Sequence, residues 1–307
     1  MRIAIMGSGG VGGFFGARLA QAGHDVVFIA RGRQLEAMRT EGLRINSDLG
    51  DIHLEQPQAT DDPSSIEPVE AALFSTKLYD TEDAARQLAP ALGDDGFVVT
   101  IQNGVTSPDM IASVIGKDRV LGGTTYIISH LSEPGVIEHT GPFQRIHFGE
   151  LDGSMSERAK RFEAACEGAG IEIKLSENVL VDMWEKYITL STMSGMTALT
   201  RCPIGPILES EELTAMTEEA VHEVASVGRA CGVPIPADAE ERTIKGMKGA
   251  PMTTKSSMLV DLEHGRRLEL PWFSATVAKL GKDQGIATPV HRFIAAALSP
   301  HVNGARS

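Results

Sequence analysis

The chain opens with MRIAIMGSGGVGGFFG, residues 1–16, and the remainder of its N-terminal half is most simply read as arranged around this stretch. Residues 2–6 form a short apolar run typical of a buried parallel strand. Glycines then follow in the spacing G-x-G-x-x-G, and an apolar helical pattern continues to about residue 23. A strand, a glycine turn and a helix in immediate succession are typical of a dinucleotide site, although a purely structural turn is the alternative. The residues expected to lie against a pyrophosphate are Gly7, Ser8, Gly9, Gly10, Val11 and Gly12.

The second predicted strand, residues 24–30, indicates which dinucleotide binds. It is expected to lie parallel to the first and it runs into Arg31-Gly32-Arg33. Sites specific for NAD usually carry Asp or Glu at this point, where it binds the ribose 2′-hydroxyl. A guanidinium can instead bind a 2′-phosphate through charge-assisted hydrogen bonds. The sequence therefore favours NADP(H), with Arg31 the better candidate of the two arginines and a solvated basic turn as the alternative.

Composition limits the classes of partner. With 28 Lys and Arg against 41 Asp and Glu, the net charge is -13, which opposes binding to nucleic acid or to an anionic membrane. No apolar run is long enough to span a bilayer and the N-terminus shows no signal-peptide pattern, so a cytoplasmic protein is expected. Three scattered cysteines are typical of reduced structural thiols, and the isolated histidines predict no metal site. The oligomeric state stays open, a homodimer included.

Strands alternate with helices as far as residue 175, a pattern that predicts an α/β domain with a doubly wound, Rossmann-type sheet. Lys77 and Asn103 both fall just after predicted strands, at the edge where ligands of such sheets collect. Past residue 177 the strand patterns cease and long helical segments take over. We therefore expect an NADP-binding domain over residues 1–175 and an all-helical substrate and catalytic domain over residues 176–307.

The first long helix of the second domain, predicted over residues 178–199, places four side chains on one face: Lys186, Leu190, Ser194 and Thr197. A lysine on a helix is usually a solvated charge. A helix that follows a nucleotide-binding domain can instead line the cleft between domains, a favoured place for a ligand site. Lys186 is therefore a candidate for chemistry.

Several short motifs, in this order, resemble one family. They are the glycine motif at 7–12, Arg31, Thr76-Lys77, Gln102-Asn103-Gly104, PGVIEHTG at 134–141, Trp184-Glu185-Lys186, Thr197-Ala198-Leu199, Cys202-Pro203, SMLVD at 257–261 and Leu268-Glu269-Leu270. Together they resemble the ketopantoate reductase (2-dehydropantoate 2-reductase) family over nearly the full length. The resemblance implies NADPH-dependent reduction of a 2-oxo acid, as in pantothenate and coenzyme A biosynthesis, by a Rossmann domain and a helical domain with the site between them.

The resemblance also implies roles for individual residues. Lys186 matches the family's catalytic lysine and Glu269 its active-site glutamate, for which a solvated carboxylate beside Arg266 and Arg267 is the alternative. Asn103 matches an asparagine that contacts cofactor and substrate, and Lys77 a lysine near the cofactor. Ser257 matches the substrate serine.

The chain departs from the family pattern at three positions. Leu190, Ser194 and Thr254 stand where the family has asparagines, and Ser194 and Thr254 are the expected substrate contacts among them. An unpaired polar group in a buried site costs about 1–3 kcal/mol, so a different, more apolar 2-oxo acid stays open as the substrate. Two other hypotheses are a β-hydroxyacid or imine-type dehydrogenase and a non-catalytic NADP(H) sensor in which Lys186 is only structural.

Overall fold

A computed structural model describes residues 1–305 of the protein. They form two compact units, Met1–Asp182 and a second that begins at Met183. The first unit is built on a large, mainly parallel sheet and the second on helices, which confirms the predicted fold class. The boundary predicted after residue 175, and the roles assigned to either side of it, stay predictions.

The first unit contains one ten-stranded sheet. Its strands are β1 Arg2–Met6, β2 Asp25–Ile29, β3 Leu43–Ser47, β4 Ile52–Leu54, β5 Gln58–Thr60, β6 Val69–Phe74, β7 Leu92–Thr100, β8 Val120–Glu133, β9 Val136–Glu150 and β10 Glu172–Leu175. They lie in the order β4-β3-β9-β8-β7-β6-β1-β2-β5, and β10 pairs with β9. The pairs from β5 through β2, β1, β6 and β7 to β8 are all parallel, whereas β8 with β9 and β3 with β4 are antiparallel.

Helices cover both faces of this sheet, which explains why residues 3–6 of β1 are all apolar and buried. The helices of the unit are α1 Gly10–Gln21, α2 Gly32–Thr40, α3 Thr81–Leu88, α4 Ser107–Ile115 and α5 Glu157–Gly168. Ile3 and Ile5 pack on one face with Phe14 of α1 and Phe162 of α5. Ala4 and Met6 pack on the other face with the apolar side of α3 and with Ile111 of α4.

Sequence patterns predict most elements of this unit, but they misplace the end of α3 and miss α4. The sequence pattern predicts one helix over residues 81–92, but α3 ends at Leu88 and a 3-10 turn follows at Ala89–Ala91, because Pro90 lacks the N–H that a continuing helix needs. Helix α4 was not predicted, although Pro108 in its first turn is a start signal.

The hairpin of β8 and β9 is longer than predicted. The sequence pattern predicts strands over residues 120–128 and 135–141, joined at residues 133–135. The turn lies there, but the strands extend to 14 and 15 residues, and the second strand passes Gly141. It continues because the register shifts between Ile127 and Ser129, and the Gly141 N–H donates to an Asp48 carboxylate oxygen at 2.8 Å. A bulge of this kind interrupts the ladder without ending the strand.

Helices and 3-10 turns form the regular structure of residues 183–305. The helices are α6 Val179–Thr200, in which the division between the units falls, α7 Ile204–Glu209, α8 Glu211–Ala230, α9 Ala239–Lys248, α10 Ser257–Glu263, α11 Ser274–Gln284 and α12 Pro289–Leu298. The sequence pattern predicts helices over residues 178–199, 210–230, 237–247, 256–264, 272–284 and 289–298, and it misses only the short α7 among these helices. The sequence Thr288-Pro289 predicts the cap and first turn of α12, and the helix begins there. The cap hydrogen bonds come instead from Glu223 of α8, whose carboxylate accepts from Val290 N at 2.7 Å and His291 N at 2.9 Å.

Candidate active site

Four neighbouring strands, β7, β6, β1 and β2, end at one row of paired residues across the sheet, and the predicted cofactor residues follow these strand ends. Phe74 of β6 pairs with Met6 of β1 and with Thr100 of β7, and Met6 also pairs with Ile29 of β2. The segments that continue past this row carry Gly7, Arg31, Lys77 and Asn103. Because parallel strands share one carboxyl edge, the structure brings these four predicted residues to the same edge of the sheet.

The glycine loop is tightly fitted to its neighbours. Gly7 has a φ of 97°, in the region that favours glycine, and a Cβ there would lie 2.8 Å from the backbone N of Thr76. A Cβ on Gly12 would lie 2.2 Å from Ser75 Oγ. Gly9 precedes the first residue of α1, and a Cβ there would meet nothing within 4 Å. Gly10 and Val11 form the first turn of α1, whose N–H groups and dipole favour a bound phosphate. The loop therefore fits a pyrophosphate.

Arg31 follows β2 as the sequence predicts, and it has an acidic neighbour that no local pattern indicates. It occupies the N-cap position of α2 and its side chain is 77% exposed. Its guanidinium pairs with the carboxylate of Asp80, in the 3-10 turn after β6. A bound 2′-phosphate would displace the Asp80 carboxylate from the Arg31 guanidinium or share the guanidinium with it. Arg33 instead lines a surface cavity of about 320 Å³ together with Glu36 and Arg44.

A buried amide holds the segments that carry Lys77 and Asn103. Gln102, which precedes Asn103, is 4% exposed. Its Nε2 donates to Thr76 O at 2.9 Å and to Thr81 Oγ1 at 2.8 Å, so the end of β7 is bonded to both sides of Lys77. Lys77 itself is exposed and Asn103 is partly buried. The motif Gln102-Asn103-Gly104 identified this segment. It did not indicate that Gln102 holds the segment in place while Asn103 is the candidate for ligand contact.

In the second unit, Lys186 lies in α6 and is partly buried. Burial lowers the pKa of Lys186 to about 7, because an ammonium loses hydration there. A lysine with such a pKa exchanges its proton near neutral pH, which suits a general acid. The alternative of a fully solvated charge is wrong.

Glu269 is also buried, at 6% exposed, so the alternative of a solvated carboxylate is wrong as well. It immediately precedes the 3-10 turn Leu270–Trp272. The hydroxyl of Tyr187, a fully buried residue next to Lys186, donates to Trp272 O at 3.0 Å and to Phe273 O at 2.9 Å. Tyr187 thereby ties the helix of Lys186 to the turn that follows Glu269. No sequence motif marks Tyr187 for this role.

The remaining predicted substrate residues are Ser194 in α6, and Thr254 and Ser257 at the start of α10, and a contact between Thr197 and Ser256 joins these two helices. Thr197 Oγ1 donates to Met193 O at 2.6 Å and lies 2.6 Å from the hydroxyl of Ser256, which caps α10. Thr254 and Ser257 flank this cap; Thr254 is partly buried and Ser257 exposed. Ser194 is buried in α6 at 1% exposed. The hydroxyl of Thr197 is therefore engaged inside the unit.

Other classes of site find no support in residues 1–305. Every helix there is too short or too polar to cross a lipid bilayer. Within the same residues, His, Cys, Asp and Glu form no group of three or more able to hold a metal ion. All three cysteines are free thiols, and burial raises the pKa of the Cys166 thiol well above its usual range.

Comparison with known proteins identifies a family whose models match most of the chain. Residues 3–153 match the family model described as ketopantoate reductase PanE/ApbA, and residues 178–301 match the model of its C-terminal part. A 2-dehydropantoate 2-reductase of Archaeoglobus fulgidus is 32% identical over 295 residues, covering 95% of this chain and 94% of the relative. An uncharacterized oxidoreductase of Bacillus subtilis, YkpB, is 30% identical over 290 residues, covering 94% and 95%.

The fold agrees with that of solved structures. A PanE/ApbA family ketopantoate reductase from Ralstonia eutropha JMP134 superposes with a TM-score of 0.90 at 29% identity, covering 98% of each chain. Two family models that together span most of the sequence, and a relative above 30% identity over nearly its whole length, lead to one conclusion: the chain belongs to the ketopantoate reductase family of oxidoreductases.

Proposed function

We propose that the protein reduces a 2-oxo acid to the corresponding 2-hydroxy acid with NADPH, and that 2-dehydropantoate is the first substrate to test. The observation that carries the proposal is Lys186, a partly buried lysine whose pKa lies at about 7. Relatives named 2-dehydropantoate 2-reductase, matched along 94% or more of this chain in three cases, support the substrate class.

The proposed cofactor role belongs to the first unit. When bound, NADPH supplies the hydride from C4 of its nicotinamide. The loop from Gly7 to Gly12 would hold the pyrophosphate, because it combines an open position at Gly9 with the start of α1. Arg31 would bind the 2′-phosphate, and Lys77 and Asn103 would contact the cofactor from the ends of β6 and β7.

The proposed chemistry belongs to Lys186. As the keto carbon accepts the hydride, negative charge grows on the carbonyl oxygen. The Lys186 ammonium stabilises that charge and transfers one Nζ proton to the oxygen, which gives the 2-hydroxy acid and leaves a neutral amine that regains a proton from water. General acid catalysis of this kind contributes about 10²–10⁴-fold. Buried Glu269 would orient the lysine or accept a hydrogen bond from a substrate hydroxyl.

The pH dependence of the reaction tests this role. The ammonium form of Lys186 is present below its pKa of about 7 and is lost above it. We therefore expect kcat/KM for 2-oxo acid reduction to be level below that pH and to fall about tenfold per pH unit above it. The oxidation of the 2-hydroxy acid should show the reverse trend, since it needs the neutral amine. A reduction profile that rises through neutral pH would contradict the assignment.

Leu190 favours a more apolar substrate as a second candidate. It is partly buried and lies one helical turn after Lys186, on the same face of α6. Its side chain cannot hydrogen-bond a substrate hydroxyl. Two substrates test this point, 2-dehydropantoate and 3,3-dimethyl-2-oxobutanoate, because they differ only by that hydroxyl.

We expect Leu190→Asn to shift the ratio of kcat/KM toward 2-dehydropantoate by about tenfold, because a buried hydroxyl that gains a partner avoids its desolvation penalty. Leu199→Asn is the matched control, since nine residues place Leu199 on the opposite side of the helix. An unchanged ratio in Leu190→Asn would show that Leu190 does not face the substrate.

A further inference from the structure

The side chain of Gln34 joins three segments of the first unit. Gln34 lies in the first turn of α2, three residues after Arg31. Its Nε2 donates to the carbonyl oxygen of Ser8 in the glycine loop at 3.1 Å. Its Oε1 accepts from the N–H of Gly135, in the turn of the β8–β9 hairpin, at 2.8 Å. Both ends of one amide are therefore used, and one of them reaches the loop that would hold the pyrophosphate.

Ser8 is fixed by three hydrogen bonds. Its N–H and its hydroxyl both donate to Ile29 O at the end of β2, at 3.2 and 3.0 Å, and its carbonyl accepts from Gln34. A trans peptide is planar, with its C=O and N–H pointing in opposite directions. Because Gln34 holds the carbonyl of the Ser8–Gly9 peptide, the Gly9 N–H must point away from α2. Open space surrounds the Cβ position of Gly9, which leaves room for a ligand at this peptide.

We infer that Gln34 is a positioning residue for the cofactor: it orients the Ser8–Gly9 peptide so that the Gly9 N–H donates to the pyrophosphate of NADPH. The inference rests on the proposed function, since it takes a pyrophosphate to be the ligand of the loop. It assigns to α2 two separate tasks. Arg31 at its N-cap would bind the 2′-phosphate, and Gln34 one turn later would set the geometry of the loop.

Gln34→Met tests the inference, because methionine keeps the length of the side chain and removes both hydrogen bonds. We expect the Kd of NADPH to rise about five- to twentyfold, the range for losing a hydrogen bond that orients a donor to a charged group. The Kd of adenosine 2′-monophosphate, which carries the 2′-phosphate without a pyrophosphate, should stay within about twofold. A role confined to holding α2 in place would weaken both ligands equally.

Gln144→Met is the matched control, since Gln144 also donates to a backbone carbonyl, that of Gly170, at 2.9 Å. It should leave both Kd values unchanged. If Gln34→Met does not fold, Gln34→Glu decides, because its carboxylate can still accept from Gly135 but cannot donate to Ser8. Equal weakening of both ligands, or an NADPH Kd within about twofold of wild type, would overturn the inference. A wild-type protein that does not bind NADPH would instead contradict the proposed function itself.

Discussion

Replacing Lys186 with alanine is expected to lower kcat/KM for 2-oxo acid reduction by about 10²–10⁴-fold, the usual contribution of a general acid. The loss should appear in kcat, because the ammonium acts on charge that develops only in the transition state. The Kd of NADPH, measured by fluorescence titration, should change by no more than about twofold, since the proposed cofactor residues belong to the other unit. The break near neutral pH should disappear from the residual rate.

Lys279→Ala is the control for this variant. Lys279 lies in α11, is 73% exposed and pairs with a carboxylate one turn away, Asp283, at 2.7 Å. Removing it should leave kcat/KM within about twofold. A Lys186→Ala protein that is folded, binds NADPH and keeps wild-type turnover would mean that another group supplies the proton.

Arg31→Ala is expected to reduce the preference for NADPH over NADH, expressed as the ratio of their kcat/KM values, by about 10–100-fold. The reason is the loss of charge-assisted hydrogen bonds to the 2′-phosphate, worth about 1.5–3 kcal/mol. Activity with NADH should change little, because NADH carries a hydroxyl at that position. Steady-state rates with each cofactor, at saturating 2-oxo acid, give the ratio.

Asp80→Asn tests whether the carboxylate paired with Arg31 affects the cofactor preference. It removes the carboxylate paired with the guanidinium and keeps the guanidinium itself. The NADPH preference should be retained or rise, since no anion then competes with the 2′-phosphate. An NADPH-to-NADH ratio that is the same in wild type and Arg31→Ala would contradict the assignment of Arg31 and leave the cofactor preference without its physical cause.

Local sequence patterns were sufficient to predict the fold class, because the residues that carry them occupy the environments that the patterns imply. The apolar run at β1 is buried on both faces, and Gly7 and Gly12 occupy positions that a side chain could not. The patterns failed where a distant contact decides the outcome. Strand β9 continues past Gly141 because Asp48, far away in sequence, holds the bulge. The cap of α12 comes from Glu223, although Thr288 is the local candidate.

The candidate site shows the same limit. Spacing placed Arg31, Lys77 and Asn103 after strands, and parallel pairing was enough to bring them to one edge. Burial is not a property of spacing, so the lowered pKa of Lys186 and the burial of Glu269 emerged only from the structure. Supporting residues were missed for a related reason. Gln34 and Tyr187 act through hydrogen bonds to backbone atoms, and such bonds leave no motif.

The most direct measurement follows the hydride itself. The protein is incubated with NADPH carrying deuterium at both C4 positions and, in turn, with 2-dehydropantoate, 3,3-dimethyl-2-oxobutanoate and a small set of other 2-oxo acids, and the products are analysed by mass spectrometry. The account predicts a 2-hydroxy acid with one deuterium at C2 from at least one of these substrates, formed by the wild type and lost or greatly slowed in Lys186→Ala. A protein that binds NADPH but transfers deuterium to none of them would be a sensor, and one that turns over 3-hydroxy acids instead would be a β-hydroxyacid dehydrogenase; either result would contradict the account.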